Sequence, residues 1–181
     1  SVKPYQPAGY WKHLNFPKRK WSHDGGTSQY RRGLYTFWCR TFLHPSMLAF
    51  DAPTREGCIA ERTRSNIPQQ ALVLLNDPTY VEAARVFAER IVRHGGDTDH
   101  ERLAWAFERA LTRRPSAAER DILLRLAKER AGYFAANAEA AEAAATAGEW
   151  PVAKTLKSER VAVWAAVSRA ILNLYETPSR F

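Results

Sequence analysis

From Asn66 onward the chain is cut into helix-length pieces by paired stop and start signals, and no other feature limits its fold as tightly. In RSNIPQQALVLLNDPTYVEAA, Asn66 is placed to cap a helix whose first turn holds Pro68, where the missing N–H costs nothing. Asn76-Asp77-Pro78 stops that helix and starts another, with Asp77 as cap and Pro78 as first helical residue. Tyr80, Ala84, Phe87, Ala88 and Ile91 then recur on one face, and Gly95-Gly96 supplies the left-handed residue that ends the run. Thr98 or Asp99 opens the next helix, with Leu103, Phe107, Ala110 and Leu111 inward, and Pro115 breaks it. Ser116 to Glu119 is a capping box that launches a helix with Ile122, Leu123, Leu126, Tyr133 and Phe134 inward. The alanine-rich run 135–147 either extends that helix or covers a loop, and Gly148 and Pro151 end it. A last helix starts near Ser158, its inner face built from Val161, Trp164, Ala165, Ile171 and Leu172. No alternating strand pattern competes, so the expected class is all-α, an irregular helical bundle with antiparallel neighbours across its short connections.

Upstream the signals change. Pro4, Pro7 and Pro17 break up residues 1–27, which read as an extended arm joined through HDGGTS to a helical domain spanning 28–181. A helix is expected over SQYRRGLYTFWCRTF, capped by Thr27 or Ser28, with Leu34, Phe37 and Trp38 inward. His44-Pro45 ends it, PSMLAF makes one short helical turn, and DAPTREGCIAERTRSN, without a period, reads as an ordered loop. The net charge of +8 is concentrated upstream: residues 1–40 hold eight Lys/Arg and Asp24 as their only acid. Aromatics such as Tyr10, Trp11, Phe16, Trp21 and Phe42 interleave with those cations. That mixture suits nucleic acid, an anionic polysaccharide or an acidic partner. It equally suits rings that tack the arm onto the body while the lysines face water. Nucleic acid ranks last, because the helical body presents no aligned basic face.

Motifs for chemistry are few. The five histidines show neither H-x-x-x-H nor H-E-x-x-H spacing, so no local metal site is expected. There is no nucleophile elbow, phosphate loop or dinucleotide fingerprint, and C-x-x-C-H for haem attachment is missing. Cys39 and Cys58 leave a disulfide open if the protein is exported. No apolar run reaches the roughly 20 residues that span a bilayer. The densest polar segment runs from Asp51 to Arg64. As a site it would use Asp51 and Glu56 for protons, with Arg55, Arg62 and Arg64 holding an anionic or sugar group and Asn66 and Gln70 orienting them. As architecture it would be a loop laced by arginine–carboxylate bonds, pinned against the start of the next helix.

The ordered series R-R-x-L-Y-T-F-W (Arg31 to Trp38), F-D-A-P-x-R-E-x-C (Phe50 to Cys58), R-x-R-x-N-x-P-x-Q-A-L (Arg62 to Leu72) and L-L-N-D-P (Leu74 to Pro78) resembles the C-terminal part of domain of unknown function 1553. SVKPYQPAGYW, LTRRPSAAE and LNLYETPSRF resemble flanking motifs of the same family. Departures fall at Cys39, His44, Glu61, Gln69 and Tyr175, the last standing where the pattern has an acid. The resemblance implies structural roles for Arg31, Arg32 and Trp38 beside Asp77 and Pro78. It also implies a larger domain whose upstream helices lie elsewhere in the polypeptide or on a companion chain. It further implies an exported, periplasmic or cell-envelope setting in planctomycetes. No cofactor is expected on this chain, and haem c would sit on a neighbouring domain. Two functions follow as expectations: an interdomain or ligand-binding face, or one part of a haem-dependent carbohydrate-active oxidoreductase.

Overall fold

Where a proline or a polar cap interrupts an apolar period, a helix begins. The computed structural model has seven α-helices among the described residues, and α1 to α5 follow this rule: α1 Pro45–Ala49, α2 Pro68–Asn76, α3 Pro78–His94, α4 Asp99–Leu111, α5 Ala117–Ala136, α6 Ala138–Ala145 and α7 Ser158–Leu172. The structure describes residues 1–13, 18, 20–39 and 42–178; Phe16, Pro17 and the end of LNLYETPSRF lie outside them. Among the described residues there is no β-strand, and the fold is all-α. The chain divides into two compact units, Ser1–Val73 and Leu74–Phe181.

The first unit is built from aromatic rings and backbone pairing. Trp11 stacks on Trp21 with centroids 5.1 Å apart, and Phe42 and Phe37 pack on those two rings in turn. Trp11 is buried and its indole N–H donates to the buried Gln6. The helix expected from Ser28 to Phe42 does not form among the described residues of that stretch. Two short 3-10 segments, Gly26–Tyr30 and Gly33–Tyr35, take its place, with Arg31 and Arg32 extended between them. The reason is competition for backbone groups. Val2 donates to the Tyr35 carbonyl at 2.8 Å, and Phe37 donates to the Val2 carbonyl at 2.7 Å. Those groups are then lost to an i→i+4 ladder, which Gly33 already weakens. Leu34, expected inward, is 70% exposed.

The second unit is a helical bundle around α7. Val161 to Ala165 are buried consecutively, which happens only to a helix enclosed on several sides. α3, α5 and α6 supply most of that enclosure and α4 the rest. The expected single inner face of α7 is therefore too narrow. Ile91, Leu103, Phe107, Trp164 and Ile171 are each at most 1% exposed, and each such burial stabilises the fold by about 1.5–3 kcal/mol.

The helix starts, ends and inner faces follow the sequence with three corrections. Asp77 accepts from Thr79 N–H at 2.9 Å with Pro78 first in α3, and Ser116 and Glu119 form their reciprocal box. Thr98 makes a second box with Glu101. Asn66 does not hold the cap position, because α2 begins at Pro68 and Ile67 precedes it. α4 stops at Leu111, where Thr112 turns left-handed, short of Pro115. Ile122 and Tyr133 of α5 are 56% and 48% exposed, not inward. The alanine-rich run resolves into α6, separated from α5 at Asn137.

Candidate functional site

Asp51 to Gln70, wholly within the first unit, is a polar loop closed at its base. Asp51 follows α1 with φ of 55°, a left-handed setting that aspartate tolerates better than most residues. One oxygen of its carboxylate, Oδ2, accepts from both the Ser65 hydroxyl and the Ser65 amide, each at 2.7 Å. The Arg62 guanidinium donates to the Asp51 carbonyl at 3.0 Å and to the Phe50 carbonyl. Gln70, in the first turn of α2, donates to the Ser65 carbonyl at 3.1 Å. Asp51, Arg62 and Gln70 thus converge on Ser65 and on the chain end of α1. A ring of donors and acceptors replaces the pairing that regular structure would give these backbone groups.

The remaining residues of the segment stand outward. Arg55, also left-handed at φ of 63°, lays its guanidinium 4.1 Å from the centre of the Trp38 ring. Trp38 in turn donates to the Thr54 carbonyl at 3.1 Å, so it serves as a shelf. Glu56 is exposed and its amide donates to Thr54 Oγ1 at 3.4 Å; Arg64 and Asn66 are exposed too. Arg31 and Arg32 are exposed, and the Arg32 carbonyl accepts the Tyr35 amide. Every residue from 54 to 64 is exposed. Cys39 and Cys58 are free thiols.

Chemically, this arrangement holds shape more than it moves protons. The Ser65 hydroxyl and then the Ser65 amide hold the Asp51 carboxyl below the usual carboxylate range, and the Arg62 charge adds to this. A carboxylate whose pKa is lowered in this way is a weaker base toward a substrate proton. Among the described residues no three His, Cys, Asp or Glu side chains are grouped to hold a metal ion. No described helix is long and apolar enough to cross a membrane.

Two charge clusters in the second unit escape a reading by motif. Arg85 is fully buried on α3 between Glu82 and Glu89. It bonds Glu89 at 2.7 Å and the carbonyls of Ala147 at 3.1 Å and Trp150 at 2.6 Å. Glu82 accepts the Trp150 amide at 2.5 Å. The α6–α7 connection is therefore strapped to α3. The spacing E-x-x-R-x-x-x-E was the available signal, since it places three charges on the face that also carries Ala88. The second cluster joins two motifs. Arg113 makes paired bonds to Glu119 (2.6 and 2.9 Å) and to Glu176 (2.8 and 2.9 Å). These bonds raise the Arg113 pKa and bring Glu119 down to about 2. Tyr175, at the position of the expected acid, is 56% exposed, and Glu176 beside it supplies the carboxylate.

The fold and this loop define an all-helical module with a polar, closed, outward-facing segment. The chain matches the family model described as protein of unknown function (DUF1553), PSD1, over residues 1–127, and it belongs to that family. The match takes in the Asp51–Gln70 loop, α3, α4 and the start of α5. Comparison with curated proteins and with solved structures gives no match.

Proposed function

We propose that this chain is the helical C-terminal module of an exported, cytochrome-associated multidomain protein. Its segment 54–64 is the face it offers to a neighbouring domain or an anionic polysaccharide. One observation carries the reading: the segment is fixed at its base by Asp51, Arg62, Ser65 and Gln70, yet all of residues 54–64 are exposed. Ordering a residue costs about 1–2 kcal/mol of backbone entropy, and no burial within the segment offsets it. A segment ordered without burial is suited to present Arg55 and Arg64 to something outside, while Arg62 holds its base. Guanidinium groups favour carboxylates and sulfates, which they meet bidentately. The exported, cytochrome-linked setting rests on the family motifs.

The oxidoreductase reading would need Asp51 or Glu56 to handle protons, and the two hydrogen bonds that Ser65 donates to Asp51, which lower its basicity, weigh against the first. The nucleic-acid reading would need free ring faces, whereas Trp11 and Trp21 stack on each other and Phe42 and Phe37 pack against them. The test has two arms: titration with polygalacturonate, and titration with a c-type cytochrome domain from the same polypeptide. Arg55→Ala with Arg64→Ala should weaken binding in at least one arm about tenfold and leave helical content unchanged. If neither ligand binds, or the variant binds as the parent does, the reading is wrong.

A further inference from the structure

We propose that a pocket in the helical unit, between the N-terminal ends of α4 and α7 and the middle of α5, binds a small amphipathic carboxylate. The pocket is an open cleft of about 580 Å³, within the volume range of small-molecule sites. Its floor is apolar. Leu124, Ala127 and Ala131 recur along α5 at helical spacing, and Val163 of α7 lines the pocket with them. The two alanines leave space that larger side chains would fill.

The rim is cationic. Lys128 and Lys157 are exposed and have no ion-pair partner among the described residues. Arg160 bonds Asp99 at 2.7 Å, which ties the first turn of α7 to that of α4. Among the lining residues three cationic side chains stand against the carboxylates of Asp99 and Glu159, and Glu142, outside the lining, is held by the Ser158 hydroxyl. Lys157 also stands at the N-cap of α7, where no side chain caps the helix. That end carries unfilled amide groups and the positive pole of the helix, so a lysine there opposes the dipole while an anion suits it. A compact apolar body with one negative head uses both features. The floor takes the body, and Lys128, Lys157 and the α7 amides take the head. A doubly charged phosphate without an apolar body would leave the floor uncovered, and a neutral apolar compound would leave the rim unused.

Octanoate and octanol, which share a chain and differ in the head, are the probes, titrated into the isotopically labelled protein. Octanoate should shift the amide signals of Lys128, Ser158 and Glu159 and bind about tenfold tighter than octanol. Lys128→Ser with Lys157→Ser, both at exposed positions, should erase that preference and leave octanol binding as it was. Ala131→Trp, at the exposed edge of the floor, should weaken both probes. Equal affinity for the two probes, shifts that map elsewhere, no shifts at all, or a preference that survives the double substitution would each overturn the proposal.

Discussion

Arg113 gathers Glu119 and Glu176 into one charge-assisted cluster, and through it the segment at Glu176 is held to the α4–α5 corner. Its charge makes an acid-sensitive contact. The Glu119 carboxyl falls from its ordinary 4.5 to about 2, chiefly through the Arg113 hydrogen bonds and then the Ser116 amide. Its folded pKa is depressed, so its contribution is complete above about 4.5 and is lost as pH falls toward about 2. Glu119→Gln should therefore flatten the dependence of stability on pH in that window, measured as urea midpoints from acid to neutral pH. Asp51 behaves alike in direction, and Asp51→Asn should speed amide exchange across residues 54–64 while the helical signal stays constant. Were exchange in that segment unchanged, the Asp51–Ser65 bonds would not be what orders it. Of these residues the sequence named Asp51, Arg62 and Gln70, because they crowd one short polar stretch. Ser65 was missed, since a lone serine among arginines carries no spacing signal. Arg113 and Glu176 were likewise passed over as partners, lying 63 positions apart.

At the scale of elements, α3 does more than contribute an apolar face. Arg85, Glu82 and Glu89 hold the α6–α7 connection, and Gly148 is a point of close approach to Glu82. Its φ is +95°, and a Cβ there would lie 2.4 Å from Glu82 Cγ. Gly148→Ala should destabilise by at least about 1–3 kcal/mol from backbone strain alone, read by denaturant unfolding. Arg85→Met leaves two buried carboxylates uncompensated and should cost about 3–5 kcal/mol. Adding Glu82→Gln and Glu89→Gln should restore part of that loss, which separates lost charge balance from lost packing. Helix starts were legible because a cap is local: Asp77, Thr98 and Ser116 each bond an amide two or three residues away. The expected helix from Ser28 failed for the opposite reason, since its backbone groups pair with Val2, remote in sequence. Ile122 and Tyr133 fall at apolar spacing on α5, but neighbouring helices cover only part of that periphery.

For the whole molecule, the main core runs from Ala88 to Ile171 and lies inside the second unit. A fragment of residues 74–181 should therefore unfold cooperatively on heating by itself, as followed by circular dichroism; a broad, non-cooperative melt would show that the bundle depends on the first unit. Within that bundle Trp164→Ala should cost about 3–5 kcal/mol, because Trp164 is 1% exposed at the centre of α7. The sequence by itself determined the all-α class, the caps that start α3 and α5, and the family to which the chain belongs. All of these depend on short-range order: spacing, prolines, and side chains that reach their own backbone. Tertiary structure alone decided that α7 is enclosed on several sides and that Arg85 is a buried strap. It alone brought Arg113 to Glu176, folded residues 33–37 against Val2, and opened a cationic pocket between α4, α5 and α7. Each of these joins groups far apart in the chain, and only packing, which settles which backbone and charged groups meet, can select them.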